Sequence, residues 1–158
     1  MSDITCSFTG HRQIFHIHSE VLPAALDDII MKLHSSGYNW FQSGGALGFD
    51  LLAAESVLRI RNSSSDVHLR MILPCRDQTK HWNCAERKRY NSIIGLADDV
   101  IFLQESYTQY CMHERNRMLV DTASVIVSYL MHEHGGTAYT VRYAKSKCKK
   151  IINIADLL

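Results

Sequence analysis

Four short stretches of this chain carry residue types suited to holding an anion or moving a proton. The first is Thr9, Gly10, His11 and Arg12. The second, SGGALGFDLLAAE over residues 43–55, holds Gly44, Gly45 and Gly48, followed by Asp50 and Glu55. The third, ERNRMLVD, contains Arg115 and Asn116, and the fourth, HEHGGTAYTV, contains Gly135, Gly136 and Thr137. Glycines let backbone N–H groups come close to an anion, above all where a helix begins. Arginine grips phosphate through a planar fork of donors. Carboxylates such as Asp50 and Glu55 can accept ribose hydroxyls, or activate water and steady an oxocarbenium-like centre.

Each stretch also has a plain structural meaning. The glycines suit a tight strand-to-helix turn. Asp50 falls in a first helical turn, where the macrodipole favours an anion. Thr137 is a good N-cap residue. The spacing G-G-x-x-G is near, but does not equal, the dinucleotide fingerprint G-x-G-x-x-G, and it follows the second strand rather than the first. If the second stretch cradles phosphate, a bulky residue at position 45 should abolish binding without unfolding the chain. Arg117 and Asp121 lie four apart on one helix, a spacing that allows them to pair. Nine histidines, among them His16, His18, His132 and His134, show neither H-E-x-x-H nor a zinc spacing, so no metal is expected. Neither a nucleophile elbow nor a Walker A lysine motif is present, and no motif calls for a cofactor.

Such residues need a frame. Apolar runs of strand type fall at 4–8, 40–42, 67–73, 99–103, 125–129 and 151–154. Helical patterns lie between them at about 19–35, 48–61, 84–96, 110–122 and 137–148. Gly37 follows the first helix as a stop signal. Alternating β and α units imply an α/β fold: three layers around a doubly wound, mainly parallel, Rossmann-like sheet. Sheets of this kind bind ligands beyond the carboxyl ends of their strands. The candidate residues collect after strands one, two and five, and a polar segment, PCRDQTKHW over 74–82, follows strand three.

Composition sets the outer bounds. The 158 residues suit one domain over 1–158, and 46% hydrophobic with 21% charged residues is ordinary for a soluble protein. A net charge of +1 gives no argument for nucleic acid or a membrane surface as partner. The N-terminal MSDITCSF has no signal-peptide pattern, and no run is long enough to span a bilayer. Five cysteines, odd in number and without a CxxC pair, suit reduced thiols and a cytoplasmic location.

Taken in order, TGHR, GGALGFDLLAAE, Pro74-x-x-x-Gln78-x-x-x-Trp82, Ala97-Asp98, ERNRMLVD and GGTAYTVRYA resemble the YpsA-like branch of the SLOG superfamily. That superfamily also includes the DNA-processing protein DprA and the LOG nucleotide-processing enzymes. The resemblance spans roughly residues 4–144. It implies a Rossmann-like fold and a site for a nucleotide or nucleotide-derived ligand, such as a nucleoside phosphate or an NAD- or ADP-ribose-like molecule. Carried over by motif, the site would use Gly10, Arg12, Gly44, Gly45, Gly48, Asp50, Glu55, Arg115, Asn116, Gly135, Gly136 and Thr137, with His11 beside them. A homodimer is a further expectation from the resemblance. The leading expectation is binding or sensing of such a ligand. One rival is N-glycosidic hydrolysis of LOG type, with Asp50 or Glu55 as the catalytic carboxylate. Against it, HGGTAYTV lacks the glutamate of the LOG motif PGGxGTxxE. The other rival, single-strand nucleic-acid binding, needs a one-sided basic surface.

Overall fold

Strand-forming runs and amphipathic helices alternate along the whole chain, and each pair closes on the same sheet. The structure, a computed structural model, describes residues 4–158. Its strands are β1 (Thr5–Gly10), β2 (Trp40–Ser43), β3 (His68–Leu73), β4 (Asp99–Phe102), β5 (Val125–Tyr129) and β6 (Lys150–Asn153). Its helices are α1 (Leu22–Ser35), α2 (Phe49–Arg61), α3 (Cys84–Leu96), α4 (Cys111–Asp121) and α5 (Gly136–Ser146). All strand pairs are parallel, in the order β4-β3-β2-β1-β5-β6. The expected three-layer, Rossmann-like α/β architecture is the one observed.

The two faces of the sheet are built differently. On the α1/α2 face, Phe8 of β1 packs on Phe41 of β2 and Phe49 of α2, with Leu22, Leu26, Ile30 and Leu33 of α1 in the same buried cluster. Those α1 positions recur at helical spacing, which gives the helix its apolar stripe. The helix stops where Gly37 takes φ +100° and the Tyr38 N–H reaches back to the Leu33 carbonyl at 3.0 Å. Beneath α4 and α5 the apolar cluster is small, comprising Val120, Ala123, Ile126 and Ala144.

A polar row fills much of the remainder. Ser7, Gln42, Arg70 and Asp99 are register partners across four strands. Gln42 donates to Ser7 Oγ at 3.0 Å, Arg70 donates to Gln42 Oε1 at 3.1 Å, and Arg70 Nε donates to Asp99 at 2.8 Å. The row satisfies its own hydrogen-bonding groups, which lets polar side chains sit under a helical layer.

The order in which successive strands are added reverses between β1 and β5. From β1 the chain winds outward through β2, β3 and β4, whereas β5 and β6 lie on the other side of β1. The segments leaving β1 and β5 therefore diverge, and a crevice opens between them at the topological switch point.

Candidate functional site

The crevice is occupied from both sides by the motifs singled out above. Gly10, His11 and Arg12 leave the end of β1, while Gly135, Gly136 and Thr137 open α5 after β5. Asp50 lies at its floor and Arg115 and Asn116 of α4 close its side, giving a cleft of about 290 Å³. Thr9, Ala46, Met112, His132 and His134 complete the lining. Ala46 and Met112 carried no signal in the sequence, because their place in the cleft comes from packing alone.

The start of α5 is open toward this space. Gly135, at φ +93°, supplies no side-chain cap, and an added Cβ at Gly135 or Gly136 would meet nothing within 4 Å. The first-turn N–H groups of an uncapped helix, with the positive end of its dipole, form a natural anion seat. Arg12 is exposed and lines the same cleft.

Asp50 is buried. Its Oδ2 accepts the Ala46 N–H at 3.3 Å, and the Gly10 N–H also favours its charged form. Burial raises its pKa from 3.8 to about 6, against the opposing pull of Arg115, those two N–H groups and Arg12. Arg115 is buried as well and spans the cleft wall. It donates to the Gly44 carbonyl at 2.5 Å and to Asn116 Oδ1 at 2.7 Å. Burial lowers its pKa, and Asp50 counters that.

Because the Asp50 carboxyl ionises later in the folded chain than in the unfolded one, folding retains a proton between about pH 4 and pH 6. Stability should therefore fall as pH rises through that window, by about 3 kcal/mol in all. Urea unfolding of the native chain and of Asp50→Asn at pH 4.5 and pH 7 checks this. The variant should lose most of that slope, and an equal slope in both would remove Asp50 as its source.

Histidines line the rim as a stack. His11 and His132 lie 4.0 Å apart and His132 and His134 3.9 Å apart, with nearly parallel planes. His11 Nε2 accepts the Met131 N–H at 2.9 Å. Burial first, and then His132 and His134, lower the His11 pKa, so it is neutral near pH 7. The rings face one another, and among the described residues no three His, Cys, Asp or Glu side chains form a metal-binding group.

Several expectations need correction. Glu55 does not line the cleft, because Arg89 of α3 holds its carboxylate through two donors, at 2.9 and 2.5 Å. Gly44, Gly45 and Gly48 do not line it either, and each is a point of close packing. An added Cβ would come within 2.5 Å of Arg115 Nη1 at Gly44, 2.6 Å of Leu73 at Gly45 and 2.0 Å of the Arg12 carbonyl oxygen at Gly48. Several donors of this loop are spoken for: Gly45 N–H by Ser43 Oγ, Ala46 N–H by Asp50 and Phe49 N–H by the His11 carbonyl. A bulky residue at 45 would enter the core from a backbone at φ +71°, so it should unfold the chain rather than spare it. Arg117 and Asp121 do not pair. Arg117 donates to the Tyr139 hydroxyl at 2.9 Å, and Asp121 accepts from Tyr143 at 2.8 Å.

A second cavity, of about 690 Å³, adjoins the cleft, and Arg12 and Met112 line both. The segment after β3 forms much of it, through Asp77, Gln78, Lys80, His81 and Trp82. Trp82 stands in this wall and meets Tyr90 edge-on at 5.4 Å.

A doubly wound parallel sheet with a crevice at its switch point defines a Rossmann-like α/β protein. Within that class, the chain belongs to the YspA SLOG family, whose model matches residues 8–156. It is 29% identical over 141 residues to a UPF0398 protein of Halalkalibacterium halodurans, covering 87% of this chain and 72% of that one. Two DNA processing proteins share the fold. The DprA of Streptococcus pneumoniae superposes with TM-score 0.69 at 13% identity, over 94% of this chain and 49% of that one. The Helicobacter pylori protein, whose structure shows single-stranded DNA binding, gives TM-score 0.68 at 18% identity, over 95% of this chain and 64% of that one. The chain thus spans about half to two thirds of these DNA processing proteins. Among the described residues no helix is long and apolar enough to cross a membrane.

Proposed function

We propose that this protein binds a nucleotide or nucleotide-derived ligand in the cleft between β1 and β5. The observation that carries the reading is the meeting, at the switch point, of an uncapped helix start, Arg12 and one buried carboxylate. In this reading phosphate sits on the N–H groups of Gly136 and Thr137 and is neutralised by Arg12. Asp50, ionised at neutral pH, accepts a sugar hydroxyl. Binding is favoured over hydrolysis because Asp50 is the one carboxylate on the cleft wall among the described residues. Glycoside hydrolysis generally uses two, and Glu55 is engaged by Arg89.

Thermal unfolding with a panel of nucleoside phosphates, followed by product analysis, tests this. A raised melting temperature with intact ligand is expected, while released base would establish hydrolysis. No rise with any nucleotide at millimolar concentration would defeat both. Arg12→Ala should weaken binding about tenfold or more, the scale of a charge-assisted phosphate contact. Since Arg12 is exposed, the variant's own melting temperature should stay near that of the native chain.

A second reading is single-stranded nucleic acid laid across the cleft mouth. Tyr107 and Tyr110 are 62% and 63% exposed and could stack bases, and Arg12 and Lys80 lie along the two cavities. Anisotropy of a labelled oligothymidine at two salt concentrations distinguishes it: binding that falls steeply with salt supports this second reading.

A further inference from the structure

The cavity beside the cleft has the chemistry of a place for a planar, hydrogen-bonding ring. Its lining includes the aromatic and apolar side chains Trp82, Tyr107, Leu47 and Met112. Gln78 also lines it, and both Gln78 amide atoms, Oε1 and Nε2, are buried without a hydrogen-bond partner among the described residues. Asp77 Oδ1 beside it is likewise unpartnered. Native structures rarely leave both ends of a buried amide without a protein partner unless the group has a use, since each unmet group costs free energy. The size is within the range of small-molecule sites.

We infer that this cavity is a base subsite, and that it selects a heteroaromatic ring presenting a donor beside an acceptor, as adenine does. The inference rests on the nucleotide reading of the adjoining cleft. Arg12 and Met112 form the shared wall, so a ligand with phosphate at the α5 start can pass its base over Met112 into the second space. A glutamine amide matches the adenine edge with two hydrogen bonds, Nε2–H to a ring nitrogen and Oε1 from the exocyclic amine. Trp82 provides the flat apolar surface that base recognition uses.

AMP and ribose 5-phosphate separate the subsite from the phosphate site. The protein has two tryptophans, and Trp40 lies elsewhere, against His68 and Arg70. In a Trp40→Phe background, emission reports on Trp82 alone. AMP is expected to quench it and to bind at least tenfold more tightly than ribose 5-phosphate, which should bind without quenching. Gln78→Met, which keeps the volume and removes both polar atoms, should weaken AMP about tenfold and leave ribose 5-phosphate unchanged. Because the amide has no partner to lose, the variant's melting temperature should not fall. Equal affinity for the two ligands, or equal weakening of both by Gln78→Met, would overturn the base subsite while leaving the phosphate site standing. Failure of both ligands to bind would instead defeat the nucleotide reading, and the subsite with it.

Discussion

Arg115→Met should lower stability by about 3–5 kcal/mol, the range seen when a buried charge is left without its counter-charge. Arg115 is only 6% exposed and serves three groups at once. It donates to the Gly44 carbonyl and to Asn116 Oδ1, and it offsets the charge of buried Asp50. Methionine fills similar length but leaves the Gly44 carbonyl and Asn116 oxygen without this donor and Asp50 without its largest counter-charge. For a chain of this size the melting temperature should drop by about 10 °C. Arg115→Lys should rescue little, because one ammonium cannot reproduce the fork that reaches both oxygens. The Asp50 carboxyl should also ionise at still higher pH, so the double variant Arg115→Met/Asp50→Asn should recover part of the loss. Chemical denaturation of the four proteins measures the coupling. A single-variant loss below about 1 kcal/mol would mean that the pair does not hold the cleft together.

That result bears on function because the same two residues shape the cleft floor and wall. A buried, half-compensated carboxylate is a costly thing for a fold to keep. Here it is held by the N–H groups of Ala46, in the loop after β2, and of Gly10, at the end of β1. Asp50 thereby ties the end of β1 to the start of α2. The acceptor a ligand would meet is positioned by backbone rather than by a mobile side chain, which is the preorganisation that binding favours.

How much of this the sequence disclosed depends on the range of the interaction. The β5 and α3 boundaries match the apolar patterns residue for residue, since each has a clean local signal. β1 runs two residues further than its apolar run, through Thr9 and Gly10, because these pair with Ser128 and Tyr129 of β5. α1 starts three residues late, because a short turn of 3₁₀-helix over His16–His18 comes first and Leu22-Pro23 opens the helix proper. The clustering of motifs after β1 and β5 was legible, since the βα alternation fixes which strand ends share a crevice. The use of the Ser43–Glu55 glycines was not. Gly44 meets Arg115, 71 positions later, and Glu55 meets Arg89, 34 positions later. Glycine permits close approach, but nothing local says whether the approaching group is a phosphate or the chain itself.

Gly48 is where that distinction has its largest consequence, and Gly48→Ala should destabilise the chain by about 3–5 kcal/mol. Two independent costs combine. The residue sits at φ +82°, ψ −122°, a region that side chains other than glycine's hardly enter, and strain of that kind is worth about 1–3 kcal/mol. The added Cβ would also lie 2.0 Å from the Arg12 carbonyl oxygen, which is backbone and cannot rotate away. Relief requires the β1–α1 segment and the start of α2 to separate, adding about 1–3 kcal/mol of overpacking. Such a shift would break the Phe49 N–H bond to the His11 carbonyl, 3.1 Å long, and move Arg12 away from the cleft. Two other alanine variants calibrate the number. Gly135→Ala, at φ +93° with open space around it, should incur the strain without the clash, about 1–2 kcal/mol. Gly95→Ala, in α3 with neither constraint, should gain up to about 0.5–1 kcal/mol from helix propensity. Urea midpoints should therefore rank Gly95→Ala above the native chain, then Gly135→Ala, then Gly48→Ala. If Gly48→Ala were no worse than Gly135→Ala, the contact between Gly48 and Arg12 would not be what fixes the loop, and Arg12 would owe its place to the cleft alone.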